Sequence, residues 1–158
     1  MERIMLTDKE IVEIKEHLKH YPRKQAAVIE ALKVVQEHRG YVSDESVKDV
    51  AEFLEMTPDE VDSVATFYNL IFRKPVGEHV ILLCDSISCW IMGYENVRDH
   101  LKDKLKIDLG QTTEDKKFTL LTIPCLGACD RAPAMMVDNE LYGNLTPEKI
   151  DEILDQYK

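Results

Sequence analysis

The chain has 158 residues, 44% hydrophobic and 32% charged, with 30 acidic against 20 basic side chains and a formal net charge of −10. That length buries a real core without disulfide staples, and the composition is that of an ordinary globular protein, not a disordered one. The acidic excess is spread along the chain, 11 Lys/Arg against 15 Asp/Glu in residues 1–77 and 9 against 15 in residues 78–158, which argues against binding nucleic acid or an acidic lipid surface. The N-terminus, MERIMLTDKE, has neither the apolar core of a signal peptide nor the arginines of a transit sequence, and the longest apolar run is far below bilayer length. A cytoplasmic protein with reduced cysteines is expected, its membrane association, if any, made through a partner and not by direct insertion.

The first seventy-odd residues read as helices. Thr7 with Glu10 makes a capping box, followed at helical spacing by Ile11, Ile14 and Leu18. Pro22 suits the first turn of a second helix with Ala27, Val28, Ala31, Leu32 and Val35 on its buried side, ending at Gly40 with His38 and Arg39 near its C-terminal dipole. Ser43 or Asp44 can cap a third helix carrying Val47, Val50, Ala51 and Leu54. Thr57-Pro58-Asp59-Glu60 combines a cap, an N1 proline and a capping-box glutamate, and starts a helix through Val61, Val64 and Phe67. The breaker segment Arg73-Lys74-Pro75-Val76-Gly77 marks the expected boundary between a helical bundle, residues 1–74, and a second domain, residues 75–158.

Beyond the boundary the pattern changes. HVILLC, residues 79–84, is a strand; Tyr94 to Leu105, with Val97, Leu101 and Leu105, is an amphipathic crossover helix; Phe118 to Ile123 is a second strand. Ala134 to Val137, a turn at Asp138-Asn139-Glu140, and Leu141-Tyr142 read as a hairpin, and Thr146-Pro147 opens a closing helix with Ile150, Ile153 and Leu154 buried. A βαβ unit followed by ββα is the thioredoxin-like order, so the whole is expected to be an α/β chain, a small helical bundle followed by a thioredoxin-like domain.

The chain's four cysteines fall in two pairs, Cys84/Cys89 and Cys125/Cys129, each opening just after a strand-like run. Four residues separate the first pair and three the second, wider than the two-residue knuckle usual for structural zinc. Three readings compete: unliganded core cysteines, a zinc site, and an iron–sulfur cluster. The last is favoured, because a two-iron cluster divides four thiolates between two irons and so suits two pairs on separate loops. Ser86, Ser88, Gly127 and Ala128 are small, which lets backbone N–H groups approach sulfur. Trp90, directly after Cys89, is either a shield over such a cluster or an ordinary core residue. Asp85 and Asp130 should point outward, away from a negatively charged cluster, and Arg131 serves either as electrostatic relief for it or as half of a surface salt bridge.

Other chemistry is thin. His17, His20, His38, His79 and His100 form no ligand-spaced cluster, and there is no nucleophile elbow or HExxH. Gly40, Gly77, Gly93, Gly110, Gly127 and Gly143 never fall close enough together for a dinucleotide-binding turn. Phe67, Tyr68, Leu70, Ile71 and Phe72 form an apolar run that a small bundle cannot easily bury, and its surplus is expected to face a partner.

Three segments together, CDSISCWIMG (84–93), CLGACDRAPAMMV (125–137) and ATFYNLIF (65–72), resemble the small thioredoxin-like ferredoxin subunit of the NADH-dehydrogenase module of respiratory complex I. The resemblance covers essentially the whole chain and is shared with related subunits of NAD-linked hydrogenases and formate dehydrogenases. It implies one 2Fe-2S cluster held by Cys84, Cys89, Cys125 and Cys129, with no catalytic residue in this chain. It also implies a partner flavoprotein subunit that carries FMN and binds NADH, and a place in the cytoplasm peripheral to the inner membrane through partner subunits. The lack of the extensions seen on mitochondrial members points to a bacterial source. A free-standing ferredoxin and a zinc-stabilised scaffold remain the alternatives.

Overall fold

The computed structural model describes residues 6–157. The chain divides into two compact units, one ending at Pro75 and the other beginning at Val76.

The first unit holds four helices, α1 (Asp8–Leu18), α2 (Val28–Arg39), α3 (Asp44–Leu54) and α4 (Pro58–Phe67). Helix α2 packs against the other three, and Ile14, Ala31, Leu32, Val35, Val50, Leu54 and Val61 close a dry core between them. Both capping boxes form: the hydroxyls of Thr7 and Thr57 accept from the amides of Glu10 and Glu60, whose carboxylates accept from the threonine amides in return. Pro22 does not start the second helix. The last turn of α1 continues until the Tyr21 amide donates to the Leu18 carbonyl, so Pro22 ends that turn; a short 3-10 segment, Lys24–Ala27, then leads into α2. Arg39 lies in the last turn of α2 as expected and makes a further contact as well. It forks onto the fully buried Glu10, Nε to Oε1 at 2.6 Å and Nη2 to Oε2 at 2.7 Å, and donates to the Ser46 hydroxyl at 3.1 Å. Burial works against ionisation of Glu10, but the guanidinium and the Thr7 amide and hydroxyl outweigh it and bring the pKa down to about 2.

The apolar run after α4 splits. Ile71 enters the core and Phe72 is half-buried, whereas Phe67, Tyr68 and Leu70 are exposed, Phe67 at 79%. The side-chain amide of Gln36 clamps this segment, donating to the Leu70 carbonyl at 2.9 Å and accepting from the Phe72 amide at 2.6 Å. Arg73 then bonds the Val42 carbonyl, Asp44 and Asp62, so the segment leading to Pro75 is tied to the bundle.

The second unit is a five-stranded sheet in the order β2-β3-β1-β4-β5, built from β1 (His79–Cys84), β2 (Gln111–Thr112), β3 (Phe118–Ile123), β4 (Met135–Val137) and β5 (Glu140–Tyr142). Strands β1 and β3 run parallel, with His79 opposite Phe118 and Cys84 opposite Ile123; every other pairing is antiparallel. Three helices accompany the sheet: α5 (Ile87–Ile91), α6 (Tyr94–Leu105) and α7 (Pro147–Asp155), the last two packed on each other. The β1–α6–β3 crossover is the connection that parallel strands require, since a tight hairpin can join only antiparallel ones. At the β4–β5 turn Asp138 accepts from the Val80 amide at 2.9 Å and bonds His79 Nδ1 at 2.7 Å, which locks the hairpin onto β1. Among the described residues no helix is long and apolar enough to cross a membrane.

Candidate metal centre

Parallel pairing of β1 and β3 brings their C-terminal ends to one edge of the sheet. The loop after Cys84 and the loop after Ile123 therefore start side by side, although some forty residues separate them in sequence. The antiparallel β4 approaches the same edge, where the Cys84 amide donates to the Ala134 carbonyl at 3.1 Å and the Asp85 amide to the Ile123 carbonyl at 3.1 Å. Topology thus delivers three segments around the cysteines to one place, the end of a parallel sheet where ligand sites of α/β proteins are commonly built.

The cysteines occupy that edge as two unlike pairs. Cys84, the last residue of β1, and Cys89, inside the one-turn α5, are 3% and 1% exposed. Cys125 and Cys129 are exposed, with Sγ atoms 4.0 Å apart. The Cys84 thiol donates to the Ser86 hydroxyl at 3.4 Å. Burial alone would push the Cys84 thiol up, but the Ser86 hydroxyl and amide, the Leu126 amide and the Cys89 thiol outweigh it and hold the pKa below the ordinary value. For Cys89, burial and the hydrogen bond to Cys84 push the pKa up, opposed in part by the Ala134 amide and Ser86. The Gly127 amide donates to Cys125 Sγ at 3.3 Å from a backbone at φ +73°, a conformation that favours glycine.

This donor set fits a two-iron cluster. Four thiols in two pairs are the ligand number and type that a two-iron cluster takes, two to each iron. The small residues between the cysteines let amides turn toward sulfur, which favours the thiolate form a metal binds.

Comparison with known proteins adds the lineage: residues 14–158 match the thioredoxin-like 2Fe-2S ferredoxin family. The chain belongs to that family. Its relatives include a subunit of the NADH-quinone oxidoreductase of Buchnera aphidicola from Acyrthosiphon pisum, 46% identical over 156 residues covering 99% of this chain and 96% of that protein. The corresponding NADH-quinone oxidoreductase subunit of Escherichia coli K12 is 49% identical over 145 residues, 92% of this chain and 87% of that protein. Among solved structures, an NAD+-reducing NiFe hydrogenase in the air-oxidized state superposes with a TM-score of 0.66 at 22% identity, covering 85% of this chain and 22% of that chain, a likeness of fold.

Around the cysteines the structure removes one of the two readings of Trp90. Trp90 is not a core residue: it is 57% exposed, because Cys89 turns into the protein and the next helical position points about 100° away. Together with Ile87, Ile91 and Met92, all at least 60% exposed, it forms an apolar face on α5. Periodicity could not reveal a single helical turn. Asp85 and Asp130 are exposed as expected, and Arg131 Nε lies 3.9 Å from Asp130 with both side chains largely in solvent, a weak pairing. Gly143 is the residue that sequence reasoning missed. A Cβ there would lie 2.6 Å from Arg131 Cβ and 2.7 Å from its carbonyl oxygen, so only glycine lets the strand end pass the turn that carries Cys129.

Proposed function

We propose that this ferredoxin is the electron-transfer subunit of an NADH:quinone oxidoreductase. In this reading Cys84, Cys89, Cys125 and Cys129 hold one 2Fe-2S cluster, and single electrons are exchanged with FMN in a partner subunit that binds NADH. The observation that carries it is that both thiol pairs follow the neighbouring C-terminal ends of the parallel strands β1 and β3, in a chain 46% identical over 99% of its length to a subunit of such an enzyme. When bound, the cluster supplies one-electron redox chemistry. The protein supplies the rest: Cys84 and Cys89 are withdrawn from water, and the Gly127 amide donates to the Cys125 sulfur.

Residues 1–74 serve in this reading as a docking bundle and residues 75–158 as the cluster domain. The exposed Phe67, Tyr68 and Leu70 supply apolar surface for the flavoprotein subunit, through which the chain is held peripheral to the membrane in the cytoplasm. A quinone-linked assembly is the reading taken because NADH-quinone oxidoreductase subunits are 46–49% identical over most of the chain.

The test is anaerobic purification, or reconstitution with iron and sulfide, followed by metal analysis and visible and paramagnetic resonance spectroscopy. A brown protein with two irons and two labile sulfides per chain is expected. Cys→Ala at 84, 89, 125 or 129 should each cripple the cluster and destabilise the second unit. Stoichiometric zinc in a colourless sample made with adequate iron overturns the reading, and a variant with an unchanged spectrum removes that cysteine from the ligand set.

A further inference from the structure

The two thiol pairs differ in one respect that cluster binding alone does not require. Cys84 and Cys89 are sealed, at 3% and 1% exposure, whereas Cys125 and Cys129 both stand in solvent with their Sγ atoms 4.0 Å apart. Gly127, at φ +73°, turns the chain between them so that residues four apart face each other. Bringing their sulfurs from 4.0 Å to a bond of ~2.05 Å takes a movement of about 2 Å, within the range of rotamer changes in two exposed side chains.

We propose that Cys125 and Cys129 are a reversible redox modification site. In the cluster-free chain they close to an intramolecular disulfide when a low-molecular-weight disulfide is present, while Cys84 and Cys89 stay reduced. One exposed thiol attacks a sulfur of the reagent RSSR, forming a protein–S–SR mixed disulfide and expelling one RSH. The second thiol attacks the protein sulfur of that mixed disulfide, forming the Cys125–Cys129 bond and expelling the other RSH. Two electrons and two protons pass from the protein thiols to the reagent, which is reduced to two thiols. The order is set by access: the reagent reaches the outer pair, and the resolving thiol lies close enough to displace the adduct before it accumulates.

The consequence for loading rests on the ligand reading above; the modification itself does not. With the outer pair oxidised, two of the four thiolates are withdrawn and the chain does not accept a cluster until a dithiol reduces it.

The experiment uses the full-length, cluster-free chain, incubated anaerobically with oxidised glutathione, quenched by alkylation after unfolding and digested with trypsin. Cys125 and Cys129 share the peptide 118–131, and Cys84 and Cys89 share the peptide 74–98, so the pairs are read separately. The expected result is loss of two hydrogens and of both alkylation sites in 118–131, with both cysteines of 74–98 still alkylated. Cys129→Ser should trap a glutathione adduct on Cys125. A disulfide confined to 74–98, a cross-link between the two peptides, or stable glutathione adducts on both outer cysteines of the unsubstituted chain overturns the proposal. Iron and sulfide are then supplied to oxidised, reduced and re-reduced chain. Loading of only the two reduced samples supports the block, and equal loading of the oxidised sample refutes it. A reduced chain that maps as expected yet takes up no iron counts against the four-thiolate reading and leaves the disulfide standing.

Discussion

Replacing Glu10 with glutamine isolates the most buried charge in the helical unit. Glu10 is 0% exposed and receives four donors: two Arg39 nitrogens at 2.6 and 2.7 Å, the Thr7 amide at 2.7 Å and the Thr7 hydroxyl at 2.9 Å. These donors lower its pKa from the ordinary 4.5 to about 2 despite burial. At about 1.4 kcal/mol per pH unit the gap corresponds to about 3 kcal/mol favouring the folded state at neutral pH. The sign follows from the lowered folded-state value. The stabilisation is complete above the unfolded value of 4.5 and disappears as the pH falls through about 2, where the carboxyl is protonated in both states. Glu10→Gln keeps the shape and one acceptor but leaves the Arg39 guanidinium without its counter-charge, so a loss of about 3 kcal/mol is expected at pH 7. Urea unfolding followed by helical circular dichroism measures it, and hydrogen exchange read by peptide assigns the loss to residues before Pro75. The gap between variant and parent should narrow steadily from about pH 5 towards pH 2. Equal stability at pH 7, or a gap that does not change with pH, refutes the reasoning.

Three further outcomes are expected. Gly143→Ala places a methyl 2.6 Å from Arg131 Cβ and should cost about 1–3 kcal/mol in the second unit, read by thermal unfolding; an unchanged midpoint shows that the turn yields freely. Phe67→Ser with Leu70→Ser should alter the isolated chain's stability by less than about 0.5 kcal/mol per site, because both side chains are exposed. The same pair should weaken binding to the proposed flavoprotein partner about 10-fold or more in a titration, and unaltered affinity removes this patch from the proposed interface. The isolated cluster-loaded chain should not be reduced by NADH, though a strong low-potential reductant reduces it. Its sequence has no glycine-rich turn for a pyrophosphate, and in the proposed reading the flavin that divides a hydride into single electrons sits in the partner, so anaerobic bleaching by NADH alone would demand a nucleotide site.

Local chemistry was legible in the sequence wherever a few neighbouring residues determine the outcome. Thr7/Glu10 and Thr57/Glu60 announce helix starts because their capping bonds close within one turn. The spans 79–84, 94–105 and 118–123 follow from apolar periodicity and coincide with β1, α6 and β3. The cysteine spacing pointed to a metal site shared by two loops, and the segments around it pointed to the family. Tertiary structure decided what depends on residues distant in sequence. Whether Pro22 began a helix turned on how far α1 extends, and Arg39, from the end of α2, reaches Glu10, 29 residues away. The buried and exposed characters of the two thiol pairs, and the exposure of Trp90, arise from which side of a sheet edge each loop presents. Spacing cannot express that, because solvent access belongs to the packed surface and not to the chain. The meeting of the cysteine loops is likewise a product of the parallel β1–β3 register, which sets Cys84 opposite Ile123 and so starts both loops at one edge.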